Sequence, residues 1–243
     1  MPNWKMIISY DGSEYHGWQV QPGVRTVQGE LNYVLKKLFD MPVRTVGASR
    51  TDAGVHALMQ VANVELPDRF EVEDLRRRMN LMLPDDVAVG GIEKVADDFS
   101  ARYSAIGKRY EYRIIFSKDP HRRNGALLLH RLPDIDILNR TAGYLIGEHD
   151  FTAFAKLQSI PENPACKIAE ARWVQLVDGL NFVIEGNRFL HQMVRSLVGA
   201  MLDCARGRFS PEQFKEMVES GKRIYDYKVV GAKGLWLVEV IYD

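Results

Sequence analysis

The sequence predicts an α+β protein made of two similar halves, each running strand, helix, strand, strand, helix, strand. Apolar residues alternate with more polar ones at Trp4, Met6, Ile8 and Tyr10, and again at Tyr110, Tyr112, Ile114 and Phe116, which is the period of a half-buried strand. Between such runs lie stripes at helical spacing: Val27, Leu31, Val34, Leu35 and Leu38, then Val72, Leu75, Met79 and Met82. The order of segments is ferredoxin-like and recurs loosely after residue 104. The expected domains are therefore residues 1–104 and 105–243.

In order, a strand at Trp4–Tyr10 ends at Asp11-Gly12, and Thr26 caps the first helix. Pro42 separates that helix from a strand at Val43–Ala48, and a second strand runs Met59–Leu66. Pro67-Asp68 breaks it before a helix at Val72–Met82. Pro84-Asp85-Asp86 stops that helix, and a strand at Val87–Val95 closes the first half.

The second half opens on the Tyr110 strand, followed by a helix at Asp134–Ile146 closed by Gly147. Lys156–Cys166, with Pro161 and Pro164, reads as a mobile loop. Asp178-Gly179 turns a hairpin between Ala171–Val177 and Leu180–Glu185. Leu190, Val194, Leu197, Val198, Met201 and Leu202 form a helix that Gly207 ends. Ser210-Pro211-Glu212-Gln213 is a capping box opening a short further helix, and Leu235–Tyr242 is the last strand.

The chain has 243 residues, 46% hydrophobic and 26% charged, the balance of a globular protein. No run of about 18 uncharged apolar residues is present, so no membrane span is expected. The first ten residues lack a signal-peptide core. Cys166 and Cys204 are far apart and read as reduced thiols of a cytoplasmic protein. The formal net charge of +0 argues mildly against a polyanionic partner, but clustering matters more than the sum. Clusters stand at Arg76-Arg77-Arg78, Lys108-Arg109, His121-Arg122-Arg123 and Arg206 with Arg208. Each is either a solvated face or a phosphate-binding site.

The richest stretch is Gly47-Ala48-Ser49-Arg50-Thr51-Asp52-Ala53-Gly54-Val55-His56-Ala57, a polar loop between two strands. Such loops carry working side chains on a fixed scaffold. Three readings fit it. Asp52 can close a turn on its own backbone while Arg50 points to water. Asp52 and His56 can begin a metal site, although no third ligand lies at metal-site spacing. Or Asp52 is a catalytic carboxylate, kept ionised by a nearby positive charge.

Ser49–Ala57 resembles the signature of the TruA-type tRNA pseudouridine synthase family. Further blocks match in the same order: Tyr10-Asp11-Gly12 with His16-Gly17-Trp18-Gln19, then Arg25–Glu30, Phe99–Ala105, Lys108–Tyr112, and Phe189–Arg195 with Gly199. The match covers nearly the whole chain. It implies two α+β halves forming one extended, mostly antiparallel sheet with a central cleft.

It also implies an isomerase that turns uridine into pseudouridine at positions 38, 39 and/or 40 of the tRNA anticodon stem-loop. The resemblance further implies a homodimer, and no cofactor or metal is expected. The resemblance assigns the catalytic carboxylate to Asp52. It places Tyr110 under the target base and pairs Arg195 with Asp52 across the cleft. Arg50 is the implied wedge or phosphate contact. His56, Lys108, Arg109 and Arg76–Arg78 are weaker candidates for backbone contacts. From the residues alone, Tyr110 also fits a core aromatic, and Arg195 also fits a chain that snorkels to the surface.

The sequence departs from the family pattern once: Val229-Val230-Gly231-Ala232-Lys233-Gly234-Leu235 lacks the usual Ala-Pro element. Two rival functions remain beside the resemblance, a non-catalytic RNA-binding module on the same scaffold and a metal-dependent hydrolase using Asp52 and His56.

Overall fold

The computed structural model describes all 243 residues, Met1–Asp243. The protein is α+β and its strands are mostly antiparallel, as the patterning requires. The chain forms two compact units, Met1–Ile106 with Trp236–Asp243, and Gly107–Leu235.

In the first unit, β1 (Asn3–Tyr10) lies antiparallel to both β3 (His56–Glu65) and β4 (Val87–Val95). β2 (Val46–Gly47) joins β3 antiparallel, and β10 (Leu235–Ile241) joins β3 in parallel through Trp236 and Leu237. Trp4, Met6, Ile8 and Tyr10 all face the core, so the alternation was a true signal of burial. Each such side chain contributes about 2 kcal/mol of hydrophobic stabilisation. Thr26 caps α1 (Val27–Phe39) by accepting the N–H of Gly29. The helix buries Val27, Leu31, Val34, Leu35 and Phe39.

Details of this unit differ from the sequence reading: β3 begins at His56, three residues before the expected Met59. The strand expected at Val43–Ala48 is only β2, because the residues before it are tied to α1 instead of to the sheet. Asn32 Oδ1 accepts both the N–H and the hydroxyl of Thr45, each at 3.0 Å, and the Thr45 carbonyl accepts from Gln28 at 2.7 Å. On α2 (Val72–Met82), Leu75 and Met79 are buried but Met82 is exposed. Leu83, just past the helix, is buried in its vicinity, where the chain has turned extended.

In the second unit, β5 (Gly107–Ile115) pairs with β9 (Gly179–Gly186), β9 with β8 (Ala165–Gln175), and β8 with β7 (Gly147–Asp150), all antiparallel. β6 (Leu127–Leu128) lies parallel to β5. Three helices pack together here: α3 (Ile135–Gly143), α4 (Met193–Ala205) and α5 (Pro211–Ser220). The Ser210 capping box is present with both of its hydrogen bonds. α3 stops three residues before Ile146, because the N–H groups of Tyr144, Leu145 and Ile146 bond three residues back rather than four. α4 begins at Met193 rather than Leu190, since Gln192 sits in the left-handed region at φ 64°.

Candidate active site

The Asp52 loop enters β3 in the first unit and is pinned along its backbone. The carboxamide of Gln60, wholly buried, accepts the N–H of Ser49 at 3.2 Å and donates to its carbonyl at 2.8 Å. The Thr51 carbonyl accepts the N–H of Trp18 at 3.1 Å, and the Thr51 hydroxyl lies 2.7 Å from that of Tyr10. Val55 N–H closes a turn onto the Asp52 carbonyl, and Gly54 N–H donates to Tyr15 O. Asp52 itself is partly exposed. Arg50 beside it is exposed and has no partner within the chain.

The segment from Tyr10 to Trp18 is the support. A Cβ on Gly17 would lie 2.6 Å from the Thr51 carbonyl oxygen, so only glycine lets the two backbones meet there. That support has a brace of its own. Tyr15 donates its hydroxyl to Asp86 at 2.5 Å, and Arg25 grips the same carboxylate with two N–H groups at 2.9 and 3.0 Å. The Arg25 guanidinium also lies 4.3 Å from the Tyr15 ring centre and donates to Glu30. Burial, and then the bond to Asp86, push the Tyr15 hydroxyl far above the usual tyrosine range. Sequence reading missed this brace. Asp86 follows Pro84 and looked like a helix stop, and its partners lie 61 and 71 residues away.

His56 is a scaffold group. Its ring is 1% exposed and stacks 4.3 Å from that of Trp236. Nδ1 lies 3.1 Å from the Gly12 N–H and 3.2 Å from Asp11 Oδ1. Burial raises the Asp11 carboxyl, but hydrogen bonds from Ser13 and the neighbouring His56 outweigh it and hold the group below its usual range. No three His, Cys, Asp or Glu side chains converge in a way that could hold a metal ion.

In the second unit, Arg195 lies in the first turn of α4 and is partly buried. Its Nε donates to the Val230 carbonyl at 3.0 Å, and Val230 N–H donates back to the Arg195 carbonyl at 3.4 Å. The 228–231 segment is also held by Asp203, which is 1% exposed and accepts the Lys228 N–H at 3.0 Å, and by Tyr112, whose hydroxyl donates to Gly231 O at 2.8 Å. This is the stretch that lacks the family's proline; side chains from α4 and β5 anchor it instead. A cavity of about 240 Å³ lies against this segment, lined by Leu127, Leu129, Leu202 and Val229 among others. Tyr110 is 6% exposed, with its ring edge-on to Phe189 at 5.1 Å.

The basic clusters are mostly neutralised within the chain. Arg76 pairs with Glu73, and Arg77 and Arg78 pair with Asp74. Arg109 pairs with Glu185, Arg122 with Asp178, and Arg206 and Arg208 with Asp203. Glu73, Asp74 and Asp203 are sequence neighbours of their arginines, whereas Glu185 and Asp178 come from far along the chain.

Comparison with known proteins gives the family. A family model described as tRNA pseudouridine synthase matches residues 6–104 and 141–243. The tRNA pseudouridine synthase A of Acetivibrio thermocellus is 39% identical over 248 residues, covering 100% of both chains. That of Bacillus pumilus is 38% identical over 246 residues, covering 98% of each. That of Chlorobaculum tepidum is 39% identical over 239 residues, covering 98% of this chain and 97% of its own. The chain belongs to the tRNA pseudouridine synthase family, whose members are isomerases acting on tRNA. No helix is long and apolar enough to cross a membrane.

Proposed function

We propose that this protein isomerises uridine to pseudouridine at positions 38, 39 and/or 40 of the tRNA anticodon stem-loop, with Asp52 as the catalytic carboxylate. The observation that carries this is the Asp52 loop. Its backbone is fixed on both sides by buried groups while the Asp52 side chain stays within reach of solvent, beside the unpartnered cation of Arg50. Preorganised backbone around a partly exposed acid is what a reacting group requires.

The reaction breaks the bond from N1 of the base to C1′ of the ribose, turns the base, and forms the bond from C5 to C1′. The C5 proton leaves and N1 gains one. Atoms and oxidation level are conserved, so no cofactor or metal is needed. A carboxylate serves the first step either by attack at C1′, as in glycoside hydrolysis, or by removing a ribose proton. In this reading Tyr110 stacks on the base and handles the C5 proton, being flat and hydroxylated. Arg195 keeps the carboxylate ionised. Arg50 helps hold the nucleotide turned out of its stack, a step that costs a few kcal/mol. The protein's two buried, unpaired cysteines suit the reducing cytoplasm as its place of action, and the resemblance to the family implies that it works as a homodimer.

The test is Asp52→Asn assayed on unmodified tRNA. It is expected to bind tRNA and form no pseudouridine, and full turnover would overturn the assignment. Mapping the modified nucleotides tests the positions, and sedimentation tests the dimer.

A further inference from the structure

We propose that Tyr103 and Arg102 form a second RNA contact, a platform on which an unpaired nucleotide of the substrate stacks, remote from the reacting uridine. The proposal rests on the reading of this protein as an RNA-modifying enzyme. Tyr103 is the most exposed aromatic side chain, at 78%. The Arg102 guanidinium lies 5.1 Å from its ring centre. Arg102 has no carboxylate partner, whereas the clusters at Arg76–Arg78, Arg122 and Arg206–Arg208 are each matched by acids of the same chain. A chain of net charge +0 must meet a polyanion through the cations it has not already neutralised.

The turn that presents the pair is built to stay in place. Asn3 donates its side-chain N–H groups to Phe99 O at 2.8 Å and Ala96 O at 3.1 Å. Asn63 Oδ1 accepts the N–H of Ala101 at 2.9 Å, and the Tyr242 hydroxyl donates to Ala101 O at 2.7 Å. Side chains from β1, β3 and the end of the chain thus fix the backbone on which Tyr103 stands. A lone exposed aromatic needs no explanation. One held on a rigid turn under an unpaired guanidinium has the composition of a base-stacking site, where a flat ring meets the base and a cation meets the phosphate.

Placement gives the platform its role. Asn63 lies seven residues along β3 from His56, about 23 Å at roughly 3.3 Å per residue. The turn is therefore anchored well along β3 from His56, where the strand leaves the Asp52 loop, although the arm entering that loop, Val46–Gly47, runs beside Asn63 and Ala62. A contact to a nucleotide that does not change between ground and transition states adds uniform binding, so its loss falls on KM rather than kcat.

The experiment compares wild-type protein with Tyr103→Ala, Tyr103→Phe and Arg102→Gln. Affinity for unmodified tRNA is measured across a salt series, together with kcat, KM and sedimentation. Tyr103→Ala is expected to raise Kd and KM about tenfold, within the range for one stacked base, with the loss confined to KM. Tyr103→Phe keeps the ring and should restore wild-type affinity. Arg102→Gln should lower the slope of log K against log salt by about one. The proposal is overturned if Tyr103→Ala leaves Kd unchanged, if Tyr103→Phe binds as weakly as Tyr103→Ala, or if Tyr103→Ala alters self-association but not affinity. A wild-type protein that binds tRNA yet forms no pseudouridine would count against the proposed function alone, since the affinity comparison still decides the platform.

Discussion

The carbonyl oxygen of Lys228 occupies the place that a side chain on Gly199 would need: a Cβ there would come within 1.9 Å of it. α4 and the 228–231 segment therefore meet backbone to backbone, one turn beyond the point where Arg195 grips Val230. The glycine is an unfavourable choice for a helix interior, by roughly 1 kcal/mol against alanine, so close approach is what explains it.

Gly199→Ala is expected to push the segment off the helix. Overpacking of this kind costs about 1–3 kcal/mol, more than the gain in helix propensity. Thermal melting should fall by a few degrees, and turnover should fall with it because Arg195 loses its carbonyl partner. A variant with wild-type melting and wild-type turnover would show that the segment is not seated as described.

The brace at Asp86 predicts a coupled loss. Asp86→Ala leaves the buried Tyr15 hydroxyl unsatisfied, at a cost of about 1–3 kcal/mol. It also releases Arg25, and through Gly17 and Trp18 it loosens the backbone before Asp52. Turnover should drop although Asp86 touches no substrate in the proposed reaction. A double-mutant cycle with Tyr15→Phe should show a coupling of about 0.5–3 kcal/mol. Strict additivity would mean that the two groups do not act together.

Arg50→Gln should behave in the opposite way. The side chain is exposed and unpartnered, so stability should change by less than about 0.5 kcal/mol. The effect should appear in tRNA affinity, with a salt slope smaller by about one. Unchanged affinity and an unchanged slope would remove Arg50 from the substrate contacts.

The buried thiols set an alkaline limit. Burial above all pushes Cys166 and Cys204 up to about 11 each, against an unfolded value of about 8.5. A group whose folded pKa is raised contributes stability that is complete below the unfolded pKa and is lost as pH rises toward the folded one. Tyr15 and Tyr112, both raised chiefly by burial, act in the same direction from about pH 10 upward. Melting temperature should therefore decline above about pH 9, and Cys204→Ala should flatten part of that decline. Native protein should resist a thiol reagent at pH 8 and expose both thiols on unfolding; rapid labelling of the folded protein would contradict their burial.

Much of the architecture was readable in one dimension. Val72–Met82 and Val87–Val95 have the bounds their patterns predict, and Thr26 and Ser210 cap the helices their positions suggested. Where the reading slipped, either a partner from another element or a local turn was responsible. Asn32 drew Thr45 away from the sheet, and the turn at Gln192 delayed α4. At the candidate site the polar loop and its acid stood out from composition and resemblance. Gln60, Asp86 and Asp203 did not, since each looks like an ordinary polar residue until the chain brings its partner to it.

By itself the sequence determined the α+β class, the order of its elements, the caps and the polar stretch around Asp52. These rest on periodicity and short-range hydrogen bonding, which neighbouring residues encode. Only the tertiary structure decided which arginines are spent on carboxylates of the same chain, which carboxylate braces Tyr15, and which backbones close over Gly17 and Gly199. Arg76, Arg77 and Arg78 find their acids within one helical turn, but Arg25, Arg109 and Arg122 and the backbones at Gly17 and Gly199 meet groups dozens of residues away, and no local pattern records such a meeting.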